Sequence, residues 1–97
     1  MKSILITFDQ AYTERIIDVL THNNCRGFSM VEHLQGRGSV NGEPHYGSHV
    51  WPSLCSGIIT VVDDDKVDGL LSTLHDMDVA TPQLGLRAFV WSIEKTI

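Results

Sequence analysis

Three segments of this chain are apolar on both of the faces that a β-strand presents. In residues 3–8, Ser-Ile-Leu-Ile-Thr-Phe, the alternation sets Ile4, Ile6 and Phe8 on one side and Leu5 on the other. In residues 58–62, Ile59 and Val61 oppose Ile58 and Val62. In residues 85–94, Leu86, Ala88 and Val90 oppose Phe89, Trp91 and Ile93. A sheet wet on one side alternates apolar with polar residues. These segments do not, so both faces of their sheet require cover.

The cover available within the chain is limited. Tyr12, Ile16, Val19 and Leu20 recur at helical spacing and predict a helix over about 10–22, closed by His22-Asn23-Asn24. Val67, Leu70, Leu71, Leu74 and Met77 form the clearest helical stripe, preceded by Asp63-Asp64-Asp65, which suit a helix N-terminus by capping and by the helix dipole. A further strand is expected over about 26–35, through Phe28, Met30 and Leu34, and a short loop over 78–84 around Pro82. The order is β-α-β-β-α-β. It specifies an α+β, ferredoxin-like βαββαβ sandwich, with a four-stranded antiparallel sheet and two helices on one face. At 97 residues the chain is one domain, 1–97. Two helices shelter one face only, so self-association through the other face is expected. Each large side chain buried there contributes roughly 1.5–3 kcal/mol.

Residues 36–57 differ in character. Five of the eight glycines and two of the three prolines fall there. They mark a long loop, at about 36–55; in so small a domain a loop of that length is usually functional or mobile. Gly36-Arg37-Gly38 at its start has the composition of a backbone nest for an anion, with Arg37 as the cation. His45 and His49 lie four apart, with His33 and Cys55 at the loop base; imidazole and thiolate suit zinc, copper or nickel. Pro44 and Gly47 argue against the helix that would bring His45 and His49 to one face. The bland alternatives are a solvated arginine and polar loop histidines.

Charge and composition narrow the function. The net charge is −5 and the seven Lys and Arg residues are scattered, so a nucleic-acid partner is not expected. The N-terminal apolar stretch is broken by Thr7 and Asp9, and no run reaches membrane-span length. Cys25 and Cys55 show no paired spacing and read as free thiols. A cytoplasmic location is the expectation. Ser29, Glu32 and His33 offer no nucleophile–base pair, and no nucleophile-elbow or phosphate-loop motif occurs, so the chain is not expected to be an enzyme. A cofactor-free monooxygenase of similar fold would need a roofed pocket with a poised base.

Three segments resemble the PII signal-transduction superfamily. Cys-Arg-Gly-Phe-Ser-Met-Val-Glu at 25–32 is similar to the segment entering that family's second strand. Gln-Gly-Arg-Gly at 35–38 resembles the cluster that opens its T-loop, and Ile-Thr-Val-Val-Asp-Asp-Asp at 59–65 resembles its strand-to-helix junction. The resemblance implies a homotrimer, a T-loop at about 36–55 that contacts a protein target, and ligand clefts between subunits. It implies that Ser29, Gly36, Arg37 and Gly38 meet Gly85 and Arg87 across such a cleft, around a nucleotide or another anion. Tyr46 lies near the position of the family's modified tyrosine. The stretch Val-Ala-Thr-Pro-Gln-Leu-Gly-Leu-Arg departs from the family's lysine- and glycine-rich B-loop, which supplies phosphate contacts. The alternative within the same fold is a metal-binding trimer of the divalent-cation-tolerance type, using His45, His49 or His33.

Overall fold

The computed structural model describes residues 1–34 and 54–97, together with the backbone of 36–37 and 44–45. Its strands are β1 (Lys2–Asp9), β2 (Phe28–Leu34), β3 (Gly36–Arg37), β4 (Pro44–His45), β5 (Cys55–Val62) and β6 (Arg87–Ser92). Its helices are α1 (Thr13–His22) and α2 (Val67–Ala80), each entered through one turn of 3-10 helix. The main sheet runs β2-β5-β1-β6, and every neighbouring pair is antiparallel. β1 and β2 therefore run parallel with β5 between them, and β5 and β6 run parallel with β1 between them. Both crossovers are helical, which is the split βαβ arrangement expected.

The apolar faces sort as their periodicity requires. Ile4, Ile6 and Phe8 of β1 and Ile58 of β5 have no solvent exposure and meet Ile16 and Leu20 of α1 and Leu70 and Leu74 of α2. Leu84 and Leu86 close this core at the far end. α1 ends where the sequence says it should. Asn24 takes φ 58°, its N–H donates to Thr21 O at 3.1 Å, and the Cys25 N–H donates to Leu20 O at 2.8 Å. Those two bonds are the Schellman pair, and asparagine tolerates the left-handed geometry that the motif needs.

The opposite face carries no helix. Register sets its residues in rows across the strands: Val61-Ser3-Trp91, then Ser29-Ile59-Leu5-Phe89, then Val31-Gly57-Thr7-Arg87. Val31, Ile59, Val61, Phe89 and Trp91 are exposed there, from 42% at Ile59 to 55% at Phe89.

Several boundaries differ from those expected. β5 starts at Cys55, three residues before the apolar run, because backbone pairing with β1 and β2 continues through Ser56 and Gly57. Residues 78–84 are not a loop: α2 extends to Ala80 and a 3-10 turn over Pro82–Leu84 buries Leu84. The start of the 36–55 segment is not plain loop either, since Gly36 pairs with His45 and Arg37 with Pro44. Asp63 occupies the position before the turn into α2 but its side chain makes no capping bond; Asp64 instead meets the N-terminal ammonium at 2.9 Å. The capping carboxylate belongs to Asp9, whose Oδ1 accepts from the Ala11 N–H at 2.9 Å.

Leu34 also departs from the expected pattern. From Val31 to Leu34, β2 advances three residues while β5 moves back two, from Gly57 to Cys55. The extra residue is a β-bulge, and it transfers Leu34 to the open face, away from the side shared by Phe28 and Met30. A Cβ on Gly57 would come within 2.6 Å of Leu34 Cδ1, so Leu34 lies over the space that this glycine leaves.

Truncating the helix-covered face removes contacts that no neighbour can replace. Ile6→Ala is expected to cost about 2–5 kcal/mol in urea unfolding. Gly57→Ala is expected to cost less than about 1 kcal/mol, because only the far end of the Leu34 side chain must give way.

Candidate ligand-binding site

The residues expected to handle an anion fall on opposite edges of one sheet. Ser29 lies on edge strand β2, exposed on the open face and in register with Ile59. Gly36 and Arg37 follow β2 in the short β3–β4 ribbon. Gly85 and Arg87 sit at the start of β6, the other edge. Three strand spacings separate the edges, roughly 14 Å. No single chain brings the two sets together. Gly38 and His49 lie outside the described residues.

The Gly85–Arg87 corner is tightly bonded within itself. Gly85 takes φ 57°, a left-handed conformation that suits glycine, and its N–H donates to Pro82 O at 3.2 Å. The Leu84 N–H donates to Thr81 O at 3.0 Å. The amides of Leu84 and Gly85 are thus already engaged. Arg87 Nη1 donates to Leu86 O at 2.6 Å and stands 3.9 Å from Asp78 Oδ2 of α2. The guanidinium closes one end of an open groove of about 280 Å³ between α2 and β6, floored by Leu74, Leu86 and Ala88. Asp78 was not apparent as a functional neighbour, since nothing in its helical spacing marks it as the partner of a residue nine positions later.

The root of the 36–55 segment is shaped by the β2 bulge. His33 takes φ 59° there, an uncommon conformation for a residue with a Cβ. A regular strand would set Glu32 and His33 on opposite faces. The bulge breaks that regularity, and His33 Nε2 comes to 3.9 Å from Glu32 Oε2, both side chains exposed. At the far side of this root the Gln10 N–H donates to Leu54 O at 2.8 Å. Among the described residues no group of three His, Cys, Asp or Glu side chains could hold a metal ion. Among the described residues His33 has no two further ligands beside it, and of His45 only the backbone is described.

Both cysteines are free thiols. Burial pushes the Cys25 thiol above its ordinary value, with the nearby Lys66 charge opposing. Burial also raises Cys55; a backbone hydrogen bond at Phe8 opposes it and the Asp9 charge adds to it. Neither is poised as a nucleophile. Among the described residues no helix is long and apolar enough to cross a membrane.

This architecture is that of the PII-like proteins. CPII, a nitrogen regulatory PII-like protein from Thiomonas intermedia K12, superposes with a TM-score of 0.79 at 23% identity, over 95% of this chain and 84% of that one, in a structure bound to ADP, AMP and bicarbonate. A second CPII structure, bound to ADP and bicarbonate, gives 0.76 at 26% identity over 95% and 84%. A PII-like signalling protein from Thermus thermophilus gives 0.69 at 15% identity over 95% and 85%. No protein-family model matches the sequence, and no curated protein matches it significantly. The likeness lies in the fold, at low sequence identity.

The raised thiol pKa values hold both cysteines protonated near neutral pH. Iodoacetamide is expected to label the native protein at pH 7.5 at least tenfold more slowly than the urea-unfolded chain, with half-buried Cys55 reacting before Cys25. Equal rates in the two states would contradict the environments described. Relief of backbone strain predicts that His33→Gly is neutral or stabilising by up to about 1 kcal/mol in urea unfolding, whereas His33→Val is destabilising.

Proposed function

We propose that this chain, carrying the PII-like fold, is a regulatory sensor that binds a small anion in clefts between copies of itself. The observation that carries this reading is the fold it shares, over 95% of its length, with CPII structures that hold adenine nucleotides and bicarbonate. The open apolar face supports the oligomer, because Val31, Ile59, Val61, Phe89 and Trp91 lie together on it as exposed apolar side chains of the kind that proteins cover. Two different sheet edges bearing complementary halves of a site support a head-to-tail contact, which closes into a ring when the rotation permits. A trimer is the ring that the family resemblance implies.

In such a ring Ser29, Gly36, Arg37 and Gly38 of one copy face Gly85 and Arg87 of the next. Arg37 and Arg87 supply charge, and the glycines allow close backbone approach. The self-bonded amides at 84 and 85 leave few donors for a polyphosphate, which favours a compact anion such as bicarbonate or the single phosphate of AMP. Arg87 must exchange part of its contact with Asp78 for the ligand. Residues 36–55 read out occupancy to a protein target, and the ligand's own contacts must supply the free energy of that shift. Regulation, and not catalysis, is the role. The metal-binding alternative gains no support from the described residues.

Thermal unfolding with bicarbonate, AMP, ADP and ATP at constant ionic strength tests the reading. At a ligand concentration about 100 times Kd the stabilisation is about 2.7 kcal/mol, which for a domain of this size raises Tm on the order of 10 °C. Arg37→Ala and Arg87→Ala are each expected to abolish most of that rise. No rise with any anion, or a stoichiometric metal retained through dialysis and lost in His45→Ala and His49→Ala, would overturn it.

A further inference from the structure

An open hollow of about 400 Å³ lies on the helix side of the sheet, at the root of the 36–55 segment and apart from the edge residues discussed above. Gln10, Ala11, Thr13, Glu14, Glu32 and Ser56 line it. Its chemistry is one-sided. Glu14 and Glu32 bring carboxylates from α1 and from the β2 bulge, Thr13 and Ser56 bring hydroxyls, and among the described residues no lysine or arginine lines it. The Thr13 hydroxyl donates to Gln10 O at 2.7 Å, which leaves its own lone pairs free to accept.

Ser56 makes this more than an acidic surface. It is 1% exposed, and among the described residues its hydroxyl has no hydrogen-bond partner. The other hydroxyl of this face of β5, Thr60, is satisfied by Gly27 O at 2.7 Å. A buried polar group left unpaired is costly, and native folds keep few. This one borders a hollow in which the Glu14 and Glu32 carboxylates accept hydrogen bonds.

We infer that the hollow is a binding site for a guanidinium group, held by the carboxylates of Glu14 and Glu32 with the Ser56 hydroxyl as a buried acceptor. A guanidinium carries five N–H donors in a plane, and so serves acceptors spread over two elements better than a point charge does. A metal ion needs three or more ligands converging on one point, which the described residues lack. The protein's net charge of −5 favours approach of a cation. An occupant ties the start of α1 to the bulge that precedes β3. It therefore acts on the root of the 36–55 segment from the side opposite the open sheet face. The guanidinium can belong to a free metabolite or to an arginine of a partner protein.

Amide NMR titration of the full chain with methylguanidinium, and with tetramethylammonium at equal ionic strength as the donor-free control, tests this. Saturable shifts at Gln10–Glu14, Glu32 and Ser56 are expected with methylguanidinium alone. Glu14→Gln and Glu32→Gln are each expected to weaken binding at least tenfold. Ser56→Ala is expected to weaken it at least threefold while leaving Tm unchanged or higher, since it deletes an unpaired buried hydroxyl. Arg37→Ala, which disables the proposed anion cleft, is expected to leave the titration unchanged. Agmatine binding more tightly than a capped Gly-Arg-Gly peptide assigns the site to a metabolite, and the reverse order to a protein arginine. Equal shifts with tetramethylammonium, no saturation, or full affinity in both Gln variants would overturn the inference.

Discussion

A four-stranded sheet with apolar side chains on both faces and helices on one is incomplete by itself. α1 and α2 exclude water from Ile4, Ile6, Phe8 and Ile58, and that core holds the domain together. The other face presents Ile59, Val61, Phe89 and Trp91 to solvent, in register with the polar Ser3 and Ser29. At roughly 25 cal/mol per Å² of apolar area removed from water, such a patch drives association strongly. The helical face decides whether the chain folds, and the open face decides what the folded chain does next.

The distribution of chemistry follows from the same topology. A sheet ordered β2-β5-β1-β6 sends its second and last strands to opposite edges. Residues near those strands cannot meet within one chain, yet a head-to-tail assembly brings unlike edges together at every contact. On the proposed reading ligand occupancy and assembly are linked: a ligand in a shared cleft would stabilise the assembled state, and loss of the interface would remove the site. Arg87 donates to Leu86 O and stands 3.9 Å from Asp78, contacts that a ligand in the proposed cleft would have to displace in part.

Much of this was legible in the residues. Period-two alternation assigned both faces of β1, β5 and β6 correctly, because each strand is regular and its helix-side residues are less exposed than those of the open face. The 3.6-residue stripe at Val67, Leu70, Leu74 and Met77 found α2, and Asn23-Asn24 found the end of α1. The bulge at Glu32–His33 was not legible. One extra residue reverses the facing of Leu34 without changing composition, and the compensating space at Gly57 is distant in sequence. The end of α2 was misjudged because Pro82 suggested a break, when its ring suits the first turn of the 3-10 helix that follows. The aspartate run misled in a similar way: its composition suits capping, but the carboxylate of Asp64 finds the amino terminus across space. Separation of the candidate site residues to two edges required strand order, which local pattern does not encode.

Sedimentation equilibrium of the unliganded protein at micromolar concentration tests most directly whether the open sheet face is covered by copies of the chain. A particle of three chain masses, reduced to one chain mass by Phe89→Lys with Val61→Lys while far-ultraviolet circular dichroism is unchanged, is the predicted result. A single-chain particle in the native protein, stable and free of aggregation, would contradict the account.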